Sequence, residues 1–396
     1  MTEKKYLVPM SSPEINDNDR QAVLEVLETN YLSMGPKINA FEESVRSYIG
    51  VSEAIGVSSG TTGLHLCIRA AGIQSNDMVL TTPFSFVSST NAILFEQAIP
   101  VFVDADPLTG NIDPVLAEEA IQDITSGDLK RLSLWLPRKG AEQPKTLKAI
   151  LSVDVFGQPA DHDPLTNAAK ACDLAIIEDS CEAIGAEYKH RKTGTLGDYG
   201  VFAFYPNKQI TTGEGGMIVT NRRDDAEIMR ALRNQGRAPG DTWLQHTHLG
   251  YNYRLNEMSA AMGLSQMSRI DQLIKNRQRI AELYNEMLSS IEGVEIPFVA
   301  PTTTRMSWFV YVIRLEKGIN RDVTAAKLEQ AGIPVRPYFL PIHLQPYMVE
   351  RFDYREGDFP ITEDLGRRGL ALPFSGTMTE AQVALVCDKV RECLSA

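Results

Sequence analysis

The chain has 396 residues, 43% hydrophobic and 23% charged, with a formal net charge of -12; this is a globular composition with enough apolar material for a large core and, by length, about two to three domains. The acidic balance, with no basic patch against it, excludes a nucleic-acid partner, and no run reaches the roughly 18 apolar residues that span a bilayer. The five cysteines form no CxxC pair and the first residues lack the apolar centre of a signal peptide, so a cytoplasmic protein is expected.

In chain order, residues 13–30 carry several N-cap candidates and then Val23, Leu24 and Leu27 at helical spacing, which predicts a first amphipathic helix. Gly35 and Pro36 force a turn before a second helix that ends near Tyr48. Between Ser52 and Ala105 the pattern alternates, with strands over 54–57, 78–80 and 100–103 and helices over 64–71 and 86–97. That rhythm predicts an α/β fold, a mostly parallel sheet sandwiched by helices, in which ligands bind at the carboxyl ends of the strands. Residues 106–146 open with a turn and a helix, but the stretch around Trp135 has no clean period and reads as a surface excursion. A strand over 149–155, a helix over 164–172 and an apolar run from Leu174 to Asp179 follow. Farther on, 218–219 reads as a strand and 224–234 as a helix. A helical pattern over 256–288 with apolar residues three and four apart predicts one long connecting helix. A strand over 307–314 and helices over 323–331 and 382–393 then predict a smaller C-terminal α+β domain. The expected division is a large domain over 1–250, then the connecting helix and the small domain over 251–396.

The predicted strand ends carry the chemistry. Ser58 to Thr62 follow the first strand and open a helix, so their backbone N–H groups suit either a phosphate or a plain helix cap. Phe84 and Phe86 follow the second strand; one ring could cover a planar cofactor while the other packs in the core. The segment 201–216 has an apolar lead-in, Pro206 and Asn207 to stop the strand, and glycines at 213, 215 and 216, which puts Lys208 at the mouth of the sheet. An amine at Lys208 and an acid at Asp179 leaving adjacent strand ends suit a pyridoxal phosphate (PLP) pocket. The lysine would form a Schiff base, and the carboxylate would keep the pyridine nitrogen protonated. Two other chemistries have fragments here. GVSSG fits a GxSxG turn with Ser58 as nucleophile, without an evident acid and histidine to serve it, and His246 with His248 forms an HxH pair without a third ligand, so no metal is expected.

GTTG, VDVFGQPAD, EDSCEAIGA, FAFYPNK followed by TTGEGG, GYNYRLNE and RPYFLPIHLQPY stand in that order across nearly the whole chain. Together they resemble the DegT/StrS family of nucleotide-sugar aminotransferases, which have the aspartate aminotransferase fold (PLP fold type I). The resemblance implies Lys208 as the Schiff-base lysine, Asp179 as partner of the ring nitrogen and Phe86 as the stacking ring. Gly60, Thr61 and Thr62 correspond to the phosphate-binding loop. Asn252 resembles a residue that reaches the phosphate from the neighbouring subunit, with Arg254 close by, which implies a homodimer with shared active sites. Tyr31, Met34, Tyr338 and His343 resemble substrate-lining positions. Two positions depart from the family pattern: Ala203 stands where a serine often donates to the phosphate, and Glu182 where glutamine or histidine usually lies near the ring's phenolic oxygen.

The implied reaction is a two-stage amine relay. An amino-acid donor, usually glutamate, leaves its amino group on the cofactor, and the keto group of a nucleotide-linked sugar takes it up while Lys208 moves the proton. Family members that act as sugar dehydratases carry histidine in place of the lysine, so Lys208 points to transamination. A PLP-fold regulator without turnover is the non-enzymatic alternative.

Overall fold

Seven short apolar runs bounded by polar turns pair into one sheet in the computed structural model, which describes residues 6–395. Their spatial order is Glu53–Val57, Gly216–Thr220, Tyr199–Ala203, Ala175–Asp179, Leu147–Val153, Met78–Thr81 and Ile99–Phe102. Only Gly216–Thr220 runs against the others. The lysine loop, not a helix, joins it to Tyr199–Ala203, so it returns beside its predecessor, while the parallel neighbours are joined by crossovers. Successive side chains point to opposite faces. Val79, Ile177, Val201 and Ile218 pack with Leu64 and Ile68 of the helix Gly60–Ala70. On the other face, Leu80, Ile150 and Ile176 pack with Ile121 and Leu165, and Phe202 and Met217 with Phe41 and Val45. Burial on both faces explains why these strands read as continuous apolar runs.

The smaller unit is a four-stranded antiparallel sheet, Val294–Glu295, Tyr311–Leu315, Gly369–Leu372 and Arg336–Pro337 in spatial order, with the helices Arg321–Gln330 and Glu380–Ser395 beside it. Its core joins Tyr284, Tyr311, Leu370 and Val386, and Val8 packs in the same cluster. The backbone N–H of Leu7 donates to the Gly332 carbonyl at 2.9 Å, so the first described residues lie on the C-terminal unit although they precede the large one in sequence. Among the described residues, no helix is long and apolar enough to cross a membrane.

Two sequence expectations are corrected. The pattern over 256–288 is two helices, Glu257–Met267 and Ile270–Leu288. Where the two meet, buried Asp19, from the N-terminal helix Asp17–Leu27, accepts from Ser265 Oγ at 2.7 Å, Gln266 Nε2 at 3.2 Å and Arg269 Nη2 at 2.7 Å. The second helix then hands over from one core to the other, with Leu273 and Ile274 in the large unit and Ile280, Tyr284 and Leu288 in the small one. The strand expected over 307–314 is Tyr311–Leu315; residues 307–310 form an irregular lead-in because Ser307 and Phe309 donate their N–H groups to the carbonyls of Gly157 and Phe156. The excursion around Trp135 is tied down. The indole donates to Asp123 at 3.0 Å, and Arg138 makes a two-pronged bond to Asp358, 2.6 Å on each arm.

Candidate active site

The carboxyl ends of the parallel strands and the start of the helix Gly60–Ala70 surround a cavity of about 530 Å³. Gly216 lets them meet. A Cβ there would lie 2.6 Å from the Ser59 carbonyl, so the returning strand and the helix start approach closely only because residue 216 has no side chain.

Asp179 is the last paired residue of its strand, between Val153 and Val201. Its side chain is buried at the cavity wall, with Oδ2 accepting from Ser89 Oγ at 2.6 Å and Oδ1 from the Cys181 N–H at 3.3 Å. Burial pushes its pKa above the ordinary carboxylate value, and the Ser89 bond is the strongest pull the other way.

Pro206 and Asn207 end the neighbouring strand, and the Lys208 N–H closes a turn on the Tyr205 carbonyl at 2.9 Å. The Lys208 side chain reaches into the cavity. Its Nζ lies 3.4 Å from Glu182 Oε1 and 3.6 Å from the centroid of the Phe309 ring, a cation–π contact. The loop is clamped from behind by Arg277 of the connecting helix. That guanidinium donates to the Lys208 carbonyl at 2.6 Å, the Asn207 carbonyl at 3.1 Å, and the Trp308 and Phe309 carbonyls at 3.2 and 3.1 Å. With no carboxylate bonded to it, burial lowers the Arg277 pKa to about 10.

Glu182 faces Lys208 with one oxygen and accepts from the Phe156 N–H at 2.9 Å with the other. Burial raises its pKa, and the Lys208 cation opposes that rise.

At the helix start, Ser59 and Thr62 form a capping box. Ser59 Oγ accepts from the Thr62 N–H at 3.2 Å, and Thr62 Oγ1 accepts from the Ser59 N–H at 3.0 Å. Thr62 is thereby engaged in the cap and does not line the cavity, whereas Ser59, Gly60 and Thr61 do. Ala203 lines it too; the hydroxyls of Ser59, Thr61 and Ser88 border the same space.

The two phenylalanines separate as expected. Phe84 is buried against Phe156 and Phe339, while Phe86 is 61% exposed and forms cavity wall.

Tyr338 also lines the cavity, with its pKa raised by burial to about 12. The other substrate positions do not come there. His343 is fully buried, its Nε2 3.1 Å from Glu363, between the rings of Tyr354 and Phe359; the reading of His343 as substrate-lining is corrected, because the aromatic packing of its lobe encloses it. Tyr31 and Met34 are exposed, in a turn held by Glu257, whose carboxylate accepts the N–H groups of Gly35, Lys37 and Ile38. Asn252 and Arg254 are outside their own chain's cavity, next to Asn234, which accepts from Arg254 at 3.1 Å.

The rival motifs find no support in geometry. The Ser58 hydroxyl lies 3.4 Å from Thr62 Oγ1, and among the described residues no histidine is bonded to it. His246 turns its Nδ1 to the Gln235 carbonyl at 2.8 Å. Elsewhere, Asp154, His162 and Glu178 bring potential ligand atoms within 4.8 Å of one another, all buried. Both Glu178 oxygens, however, accept backbone N–H groups, from Gly194, Leu196 and Gly197 at 2.6 to 2.7 Å.

Ser89, Arg277 and Phe309 escaped the sequence reading. Arg277 interrupts the apolar stripe between Ile274 and Ile280, and Ser89 belongs to the hydroxyl-rich FSFVSST; these irregularities were the available signals.

The residues present fit a planar ring bearing a phosphate. An acid, an amine and an open aromatic face share one cavity with a helix start, and the buried Oδ1 of Asn207, another cavity residue, has no protein partner. The sequence profile of the DegT/DnrJ/EryC1/StrS aminotransferase family matches residues 13–391. The chain belongs to this family. It is a PLP-dependent aminotransferase with the fold type I architecture. It is 37% identical to GDP-perosamine synthase of Caulobacter vibrioides over 391 residues, covering 98% of both chains. It is 33% identical to the spore coat polysaccharide biosynthesis protein SpsC of Bacillus subtilis, covering 98% of this chain and 97% of SpsC. Among solved structures, the aminotransferase resembles a DegT DnrJ EryC1 StrS aminotransferase from Brucella abortus, with a TM-score of 0.84, 29% identity and 95% of each chain covered. It also resembles DesV of S. venezuelae, with a TM-score of 0.83, 31% identity and 94% and 93% covered.

Proposed function

We propose that this aminotransferase moves an amino group from glutamate to the keto group of a nucleotide-linked deoxy sugar, in the biosynthesis of an amino sugar for a polysaccharide or glycoside. The observation that carries the reading is the meeting of Lys208, Asp179 and Phe86 around one cavity at the carboxyl edge of the sheet. The names of the relatives supply the substrate class: a GDP-perosamine synthase and a polysaccharide biosynthesis protein.

PLP, when bound, supplies an electron sink for the carbon that loses and regains a proton. The chain's own groups do the rest. Lys208 would hold the cofactor through its amine, and the same amine, when free, would serve as the base that moves the proton. Glu182 and Phe309 contact its Nζ, one by charge and one by a ring face. Asp179 would keep the ring nitrogen charged, Phe86 would cover one ring face, and the helix start at Gly60 and Thr61 would receive the phosphate. Asn252 and Arg254 are assigned to the partner subunit's site, since neither reaches the cavity of its own chain; the working unit in this reading is a cytoplasmic homodimer.

The test is optical. Purified protein loaded with PLP should be yellow and should lose that colour on addition of glutamate alone. Nucleotide-linked 3-keto and 4-keto sugars are then screened for return of the colour. A yellow protein that glutamate leaves unchanged would contradict the donor assignment, and colour restored by no keto sugar would contradict the acceptor class.

A further inference from the structure

Behind Asp179 lies a line of buried hydroxyls. Ser89 is fully buried in the first turn of the helix Ser88–Phe95, and its Oγ lies 2.6 Å from Asp179 Oδ2, 3.0 Å from Ser85 Oγ and 3.3 Å from the Phe86 carbonyl. A hydroxyl has one proton to give and two lone pairs to receive. The shortest contact, made to a carboxylate, is the charge-assisted one and takes the Ser89 proton. Ser85, itself buried, then donates its own proton to Ser89. Two hydroxyl dipoles thus point in sequence at one carboxylate oxygen, in a place where few other groups reach the carboxylate: the N–H and the thiol of Cys181, and the Lys208 cation across the cavity. Hydrogen bonds in a row polarise one another, so the second hydroxyl strengthens the first.

The same turn carries Phe86. The residues that aim the acid at the ring and the residue whose ring forms the cavity wall therefore share one short segment, tied to the helix start by the Thr61 Oγ1 bond to Ser88 Oγ at 3.1 Å.

We infer that Ser89, supplied by Ser85, is a positioning residue for the transamination: it fixes the Asp179 carboxylate and keeps it charged toward the cofactor's ring nitrogen. The inference rests on the reading that the cavity binds PLP with Asp179 at that nitrogen. Without the serine bond, Asp179 is a buried carboxylate opposed by burial and by the like charge of Glu182, and it shares the ring proton less fully with the cofactor.

The experiment uses full-length protein reconstituted with PLP carrying 15N in the ring, with solid-state NMR reading the protonation of that nitrogen and a titration reading cofactor affinity. The wild-type protein should show a protonated ring nitrogen. Ser89→Ala should move the nitrogen signal toward the unprotonated position and weaken PLP binding by about tenfold. Ser89→Thr, which keeps the hydroxyl, should restore both, and Ser85→Ala should give a smaller shift in the same direction. A folded S89A protein with the wild-type nitrogen signal and affinity would overturn the inference. If S89A does not fold, S85A decides: a wild-type signal there overturns the relay, and a partial shift supports it. A wild-type protein that takes up no PLP would overturn the cofactor reading itself, a result distinct from either.

Discussion

Arg277 donates to the backbone carbonyl of Lys208 at 2.6 Å from a helix that belongs to neither sheet. The same guanidinium holds the carbonyls of Trp308 and Phe309, so one buried cation links the lysine loop of the large unit to the segment that carries Phe309, whose ring lies beside the lysine amine. The position of Lys208 thus depends on a contact between the two units and not on its loop alone.

Arg277→Met should therefore damage both stability and placement of the lysine. It leaves four carbonyls, two of them buried and two half-buried, without this donor, which costs on the order of 3 kcal/mol, and it frees the Lys208 turn. Thermal unfolding should show the loss, and the rate of PLP attachment, followed by absorbance, should fall with it. An R277M protein with wild-type stability and attachment rate would contradict this role.

Glu182 sets a pH dependence. Its folded pKa is raised above 4.5 by burial, and that of Asp179 above 3.8 in the same way. Over that window the folded chain keeps protons that the unfolded chain has released. The stability of the PLP-free protein should thus be favoured at low pH, as far as these groups decide it, and should decline as pH rises from the ordinary values through the raised ones. Glu182→Gln removes one of the two titrations. Its Tm should fall less steeply across that range than that of the wild type, and an unchanged slope would count against the assignment.

Asn252 tests the shared site. Lys208→Ala and Asn252→Asp each disable a different half of a site, the second by placing a carboxylate against the phosphate. If the sites are shared, subunits re-mixed in equal amounts should recover about a quarter of wild-type activity, because half the dimers are mixed and each mixed dimer holds one intact site. No recovery after confirmed subunit exchange would place Asn252 in its own chain's site.

His343 should behave as a packing residue. His343→Ala takes one partner from buried Glu363, which keeps the N–H groups of Gly357 and Phe359, and opens a space between Tyr354 and Phe359, a loss of roughly 2 to 4 kcal/mol. The expected outcome is a lowered Tm with KM for both substrates retained, while Tyr338→Phe changes KM and leaves Tm close to the wild-type value. A raised KM in a stable H343A protein would return His343 to the substrate site.

The sheet and the heart of the site were legible because their signals are local. The run from Leu174 to Asp179 is apolar until its last residue, and Pro206 with the glycine tail brackets Lys208. What sequence reading lost depends on distant groups. The stripe over 256–288 continues in register through Ser268, and the bonds that tie the residues around the break to Asp19, far away in the chain, leave no mark on it. Motif position brought His343 forward, but spacing carries no information on the three aromatic and acidic side chains that enclose it. Ser89 gave no periodic signal, since what sets it apart is one hydrogen bond from its helix to the end of a strand. The Glu182 departure was visible in sequence, and its resolution, one oxygen on Lys208 and one on the Phe156 N–H, required the turn at Phe156, whose φ is 59°.

The most direct measurement is to load the protein with PLP, reduce it with borohydride and locate the modified peptide by mass spectrometry. The expected result is a single pyridoxyl-modified lysine at Lys208, absent in the Lys208→Ala protein. Modification at another lysine, or none in a protein that has bound PLP, would contradict the assignment of Lys208 as the residue that holds the cofactor.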